Sequence, residues 1–160
     1  MSISSRFSIY QIAPDDIALM KAMLVTFGKA FGEVKTYSGN RPSESYLNRL
    51  LGSDYFIALV ALQDSEVVGG IAAYELIKFE QERSEIYIYD LAVTATHRRQ
   101  GIATALIQEL KKLAEVRGAY VVFVQADIDD EPAIALYTRL GVREDVLHFD
   151  IAVEGGNGVA

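Results

Sequence analysis

Glu85-Ile86-Tyr87-Ile88-Tyr89-Asp90-Leu91-Ala92-Val93, followed three residues later by His97-Arg98-Arg99-Gln100-Gly101-Ile102-Ala103-Thr104, is the stretch that decides how this chain folds. The first part is apolar and aromatic and reads as a buried strand. Beyond Gly101, apolar residues recur at helical spacing through Ile102, Leu106, Leu110, Leu113 and Ala114. A strand therefore feeds a basic, glycine-containing turn that opens a helix. The first amides of a helix have no partners within it and carry positive potential, so such a turn is a natural seat for phosphate. Arg98 and Arg99 add bidentate donors at the same place. The turn is expected to bind an anionic phosphate group.

Two common phosphate loops fail on detail. No Gly-Lys-Ser/Thr follows the turn, and a lone Gly101 cannot build the wrapped cradle of a nucleotide-triphosphate loop. The dinucleotide fingerprint needs several glycines at fixed offsets, which are missing. What remains is a diphosphate seated on the helix start by amides from Gln100 to Thr104, with the arginines alongside.

Working outward, residues 7–12 read as a first strand. A helix beginning near Pro14 would bury Ile17, Met20, Leu24, Phe27 and Phe31. Residues 32–41 have loop composition and residues 42–51 resume a short helix ended by Gly52. Residues 56–63 and 67–78 flank Asp64-Ser65-Glu66 and read as an antiparallel hairpin, with Gly69-Gly70 marking a bulge or a close backbone approach. The helix after Gly101 runs to about Val116, with Gly118 a natural stop. Residues 120–126 read as a strand covered on both faces. Pro132 starts a helix ended by Gly141, residues 146–153 read as a final strand, and residues 154–160 as a mobile tail. Strands alternating with helices around the basic turn predict parallel pairing there. The expected fold class is α/β: one domain over residues 1–160, a mixed twisted sheet with helices on both faces.

Composition narrows the function. A chain of 160 residues that is 51% hydrophobic can bury a substantial core. A net charge of -7 and a pI near 4.8 argue against nucleic acid and suit a cationic ligand. The absence of cysteine removes thiolate nucleophiles, thiolate metal sites and disulfides, and fits a reducing cytoplasm. His97 and His148 lack the acidic spacing partners of a metal site, so no metal is expected. No signal sequence or membrane-length apolar run is seen. A cytoplasmic location without membrane contact is the expectation.

Two motifs carry a resemblance. Arg98-Arg99-Gln100-Gly101-Ile102-Ala103 resembles the Arg/Gln-x-x-Gly-x-Gly/Ala signature of the acetyl-CoA-dependent GNAT N-acetyltransferase superfamily. Asp130-Glu131-Pro132-Ala133-Ile134-Ala135-Leu136-Tyr137-Thr138-Arg139-Leu140-Gly141 resembles its later tyrosine-bearing helix. Residues 78–93, 97–107, 120–127 and 148–150, with Phe31-Gly32 and Thr36-Tyr37-Ser38, are similar to class I aminoglycoside 3-N-acetyltransferases. That group moves an acetyl group from acetyl-CoA to the 3-amino group of gentamicin-type antibiotics and so confers resistance. The chain departs from the superfamily in carrying Asp130 where asparagine is common and Val142 where phenylalanine is usual.

The resemblance implies the acyl-CoA N-acyltransferase (GNAT) fold and acetyl-CoA as co-substrate. Its diphosphate would lie on Arg98, Arg99, Gln100, Gly101, Ile102, Ala103 and Thr104. Leu91, Ala92 and Val93 would meet the pantetheine arm through their backbone, where the strand splays from its neighbour. Tyr137 would protonate the departing thiolate. The resemblance also allows a homodimer. For the base, the sequence offers Asp90, a carboxylate in an otherwise apolar strand, where buried charge needs a partner. Glu85 and Asp150 are its rivals, and pairing with a neighbouring cation is its alternative role. Period two puts Tyr87 and Tyr89 on the face opposite Ile88 and Asp90, unless a bulge resets it. Tyr89, Asp127, Glu144 and Asp150 are the candidates for contacting a cationic amine substrate. With no thiol for an acyl-enzyme, transfer would be direct, in a ternary complex. Two other readings stay open: another acceptor (a linear polyamine, a peptide N-terminus or a small metabolite), and a module that binds acetyl-CoA without turnover.

Overall fold

The computed structural model describes residues 6–39 and 41–155. Two compact units emerge, Met1–Gln125 and Ala126–Ala160. In the first, strands β1 (Ser8–Gln11), β2 (Phe56–Gln63), β3 (Glu66–Ile77), β4 (Ser84–Val93) and β5 (Ala119–Val124) lie side by side in chain order. The first four pair antiparallel and β5 joins β4 in parallel. Helices α1 (Ile17–Phe31), α2 (Glu44–Leu51) and α3 (Ile102–Arg117) complete the unit. A parallel neighbour requires a crossover, and α3 supplies it.

The two sheet faces follow from alternation. Phe56, Ala58, Val60, Ala72 and Ala92 share one core with Met20, Met23 and Phe27 of α1 and Leu47 and Leu51 of α2. The intervening residues Ile57, Leu59, Ile71, Ala73, Ile86 and Ile88 are buried on the other face. There α3 contributes Ile102, Leu106, Leu110 and Ala114. Helices thus flank both faces of a mixed sheet. The helical stripe expected for α1 holds at Met20 and Phe27, while Phe31 remains 40% exposed because it lies beyond the sheet-facing turns.

The hairpin turn forms at Asp64 and Ser65, both with positive φ (51° and 66°), the geometry that matches strand twist in a two-residue loop. Both readings of Gly69-Gly70 hold. The β2–β3 register shifts between Ala61 and Leu62, opposite Gly69 and Val67. At Gly70 a Cβ would stand 2.7 Å from Met23 Cγ, so α1 rests on bare β3 backbone.

Two expectations are corrected. β5 is the last strand of the sheet, not a strand covered on both faces, and Tyr120 and Val121 are exposed at 49% and 38%. Residues 146–153 form no strand among the described residues. Alternating hydrophobicity equips a segment for a sheet, but only a hydrogen-bonded neighbour makes it a strand. In the second unit the one helix among the described residues is α4 (Glu131–Leu140), with Asp130 as N-cap. Residues 156–160, most of the expected tail, lie outside the described residues.

The far end of α3 is fixed by an ion pair whose carboxylate is buried and whose arginine is partly exposed. Arg117 donates to Glu75 at 2.8 Å and to the Asp54 carbonyl at 2.7 Å, and Ser84 donates to the other Glu75 oxygen at 2.5 Å. Glu75 is only 9% exposed. Arg117→Ala strands that carboxylate without its cation. The expected cost is about 3 kcal/mol, read as a fall of roughly 10 °C in Tm by calorimetry.

Candidate active site

β4 carries the site because of one irregularity. Ala72 pairs with Asp90 but Ala73 pairs with Ile88, so Tyr89 is an extra residue, a β-bulge. The bulge resets the alternation. Tyr87, opposite Tyr74, and Asp90, opposite Ala72, fall on the same face, the one covered by α1. The simple period-two assignment, with Asp90 beside Ile88, does not hold beyond Tyr89. Leu91, opposite Ile71, and Val93, opposite Gly69, turn toward the α3 face, while Ala92 remains with the α1 core.

The pairing of β4 with β5 ends at Ile88–Val124, while pairing with β3 continues to Gly69–Val93. From Tyr89 to Val93 the β5-side edge therefore has no strand bonded to it among the described residues. Leu91, Ala92 and Val93, where a splay was expected, lie within this stretch that is unpaired on the β5 side.

Beyond β4, Thr94 N donates to Val68 O at 2.9 Å, and a single 3-10 turn, Ala95–His97, redirects the chain. His97 Nδ1 lies 2.8 Å from Thr94 Oγ1 and 2.9 Å from Thr96 Oγ1, which ties the turn to itself. Arg99 and Gly101 both take positive φ, 61° and 81°. Gly101 is the N-cap of α3 and offers no side chain to cap it, and a Cβ there would meet nothing within 4 Å. Open space over a left-handed glycine leaves the amides of Ile102, Ala103 and Thr104 accessible to an anion. Arg98, Arg99 and Gln100 are exposed at its rim. These residues fit the diphosphate of acetyl-CoA: Arg98 to Thr104 would hold that end and Leu91 to Val93 the arm.

Asp90 is half-buried. Burial holds its carboxyl above the ordinary range; a hydrogen bond from Tyr37 (Oη to Oδ2, 2.9 Å) opposes that rise and Glu33 adds to it. Glu85 is a poorer base. Its Oε1 accepts from Tyr120 at 2.5 Å and from Lys78 at 3.3 Å, and the tyrosine bond first, then Lys78, holds its carboxyl low. An aromatic row runs across the α1 face beside Asp90. Phe56, Tyr74, Tyr89, Tyr87 and Phe123 follow one another at ring separations of 5.2, 5.8, 5.8 and 4.7 Å. Tyr89 is 61% exposed, so the bulge presents an aromatic ring to solvent next to a carboxylate. That pairing suits an ammonium group.

The remaining candidates belong to the second unit. Tyr137 is half-buried on α4, and burial first, then Asp130, pushes its phenol up to about 12, so it keeps its proton across the neutral range. Asp130 Oδ1 accepts from Ala133 N at 3.2 Å, which explains aspartate at that position: it caps α4. Asp127 and Glu144 are exposed, and Asp150 is exposed with His148 Nε2 at 2.9 Å. No three His, Cys, Asp or Glu side chains are grouped to hold a metal ion among the described residues. Nor is any described helix long and apolar enough to cross a membrane.

β4–β5 pairing that stops at Ile88–Val124 is followed by a basic turn and a helix start without a side-chain cap. The chain belongs to the acetyltransferase (GNAT) family, whose model matches residues 21–142; members of the family use acetyl-CoA. Among solved structures it is similar to an aminoglycoside acetyltransferase from an uncultured soil metagenomic sample. The two are 66% identical, with a TM-score of 0.90 over 92% of this chain and 98% of that one. A second soil metagenomic aminoglycoside acetyltransferase, in complex with sisomicin, is 32% identical. Its TM-score is 0.87, over 95% of this chain and 99% of that one. The chain spans about half the length of the curated relatives it matches. One is an N-alpha-acetyltransferase of Sulfurisphaera tokodaii, 32% identical over 91 residues, 50% of this chain and 54% of that protein.

Replacing both Arg98 and Arg99 by alanine is expected to weaken CoA binding roughly tenfold, an effect that shrinks as salt is raised. Calorimetric titration of CoA into each protein at two ionic strengths checks this.

Proposed function

We propose that this chain is an acetyl-CoA-dependent aminoglycoside N-acetyltransferase that acetylates the 3-amino group. One observation carries the reading: a half-buried, proton-seeking carboxylate, Asp90, lies beside an exposed aromatic ring at the point where β4 leaves β5. The 66% identity to an aminoglycoside acetyltransferase supports the acceptor class, and the sequence resemblance supports the 3-amino position.

Acetyl-CoA supplies the activated acetyl group. An ammonium has no lone pair, so the acceptor must first lose a proton, and Asp90 receives it. Burial raises the affinity of that carboxylate for the proton without adding a second base. Tyr89 and its neighbouring rings face the cationic acceptor, with Asp127, Glu144 and Asp150 as further contacts for its ammonium groups. Tyr137 holds a proton on Oη for the sulfur that departs. The outward-facing main-chain groups of Leu91 and Val93, with Ala92 between them bonded toward β3, bind the arm and orient the acyl group. With no cysteine in the chain, amine and acyl donor meet directly, and much of the acceleration comes from holding them together. The whole of residues 1–160 acts as one catalytic domain in this reading.

A second acceptor class, peptide N-termini, is favoured by the N-alpha-acetyltransferase relatives, which match over about half of the chain. A thiol-release assay across gentamicin, sisomicin, spermidine and short peptides separates the two. Mass and NMR analysis of the product locates the new amide. Activity confined to peptides, or acetylation at another amine, overturns the assignment. Asp90→Asn is expected to lower kcat by about 10²- to 10⁴-fold. Tyr137→Phe is expected to lower kcat by roughly tenfold or more with little change in KM, as for a lost proton donor. Steady-state kinetics with the preferred acceptor tests both.

A further inference from the structure

Tyr37 makes the only side-chain hydrogen bond to Asp90 among the described residues. It lies on a π-helical turn, Lys35–Gly39, that follows α1, and its amide donates to Glu33 O at 3.2 Å. Its ring is wedged edge-on against Phe27 at 6.1 Å and tilted against Phe31 at 5.8 Å. Gly28 makes room for it: a Cβ there would stand 3.1 Å from Tyr37 Cβ. Helix, turn and ring packing thus converge to aim one hydroxyl at one carboxylate oxygen across 53 residues of sequence.

A base needs a fixed direction as well as a suitable affinity for its proton. A carboxylate bonded at one oxygen cannot spin freely, and its other oxygen keeps a lone pair in a defined direction. We propose that Tyr37 is the positioning residue for acetyl transfer: by donating to Oδ2 it locks the Asp90 carboxylate and turns Oδ1 toward the acceptor amine. This rests on the reading of Asp90 as the base.

The charges around Asp90 make the idea testable by pH. Glu33, at the end of α1, faces it with a like charge, and Tyr37 faces it from the π-turn. Tyr74 of β3 and Tyr87 of β4 feel its charge, and Tyr89 sits beside it in the sequence. No cation is among these groups. The Tyr37 hydrogen bond favours the ionised carboxylate, whereas burial and Glu33 disfavour it. Loss of the hydroxyl therefore raises the carboxyl further, and loss of the Glu33 charge lowers it.

Tyr37→Phe keeps the ring packing and removes only the donor. The acid limb of its kcat/KM profile should move to higher pH by about one unit. Its KM for acetyl-CoA should stay within about twofold, since the arm and diphosphate contacts are elsewhere. Glu33→Gln should move the same limb the opposite way, by a few tenths of a unit. A residue that merely supported the fold would not produce opposite shifts. Carbon-13 NMR titration of the Asp90 carboxyl, without substrates, reads the same quantity in wild type and Tyr37→Phe whether or not turnover survives. An Asp90 titration that is unmoved, or moved downward, in folded Tyr37→Phe overturns the proposal. A wild-type acid limb retained at near-normal turnover in Asp90→Asn defeats the base assignment instead, and the NMR titration distinguishes that failure from this one.

Discussion

One inserted residue governs this site. Without the bulge at Tyr89, strict alternation would turn Asp90 toward the α3 face, into a layer of isoleucines and leucines where a carboxylate has no partner. With it, Asp90 comes up beneath the end of α1, in reach of Tyr37, and an aromatic ring is lifted into solvent beside it. The same local distortion coincides with the end of β4–β5 pairing at Ile88. Placement of the carboxylate and presentation of the ring are thus two results of a single change of register. Bulges are found where a strand must re-aim a side chain, and this one re-aims a carboxylate.

The charge of the chain is divided to match. A net -7 would repel a phosphate-bearing ligand if it were spread evenly. Arg98 and Arg99 stand instead at the mouth of α3, where the uncapped amides add their own positive potential. Asp90, Glu33 and the tyrosine faces gather on the other side of the sheet, under α1. One region of the unit suits an anion and another a cation, the division that the proposed reaction would use.

Much of this could be read from the residues. The strand, basic turn and helix from Glu85 to about Val116 are local features, set by composition and period, and they stand where expected. Tyr137 and the glycine-bearing turn were visible as motifs. The Tyr37–Asp90 bond was not, because it depends on a register shift in one strand and on the path of a loop far away in sequence. Thr36-Tyr37-Ser38 carried a family likeness, but nothing in the order of residues says which way a π-helical turn will point a hydroxyl. Asp130 stood out in the sequence only as a departure from asparagine; its role as a helix cap needed the hydrogen-bond geometry. Residues 146–153 mark a different limit. Their alternation is plain, but a pattern within one segment carries no information about its neighbour.

Helix α3 connects two features that are otherwise unrelated. Its first turn holds the amides proposed for the phosphate, and its last residue, Arg117, is pinned to Glu75. Sixteen residues make it a rod about 24 Å long. A tilt of ~5° about the pinned end would carry the other end by ~2 Å, enough to spoil a set of amide contacts. The clasp therefore acts as an anchor for a lever, and damage at its far end would be felt as lost affinity for the acyl carrier before the sheet itself came apart.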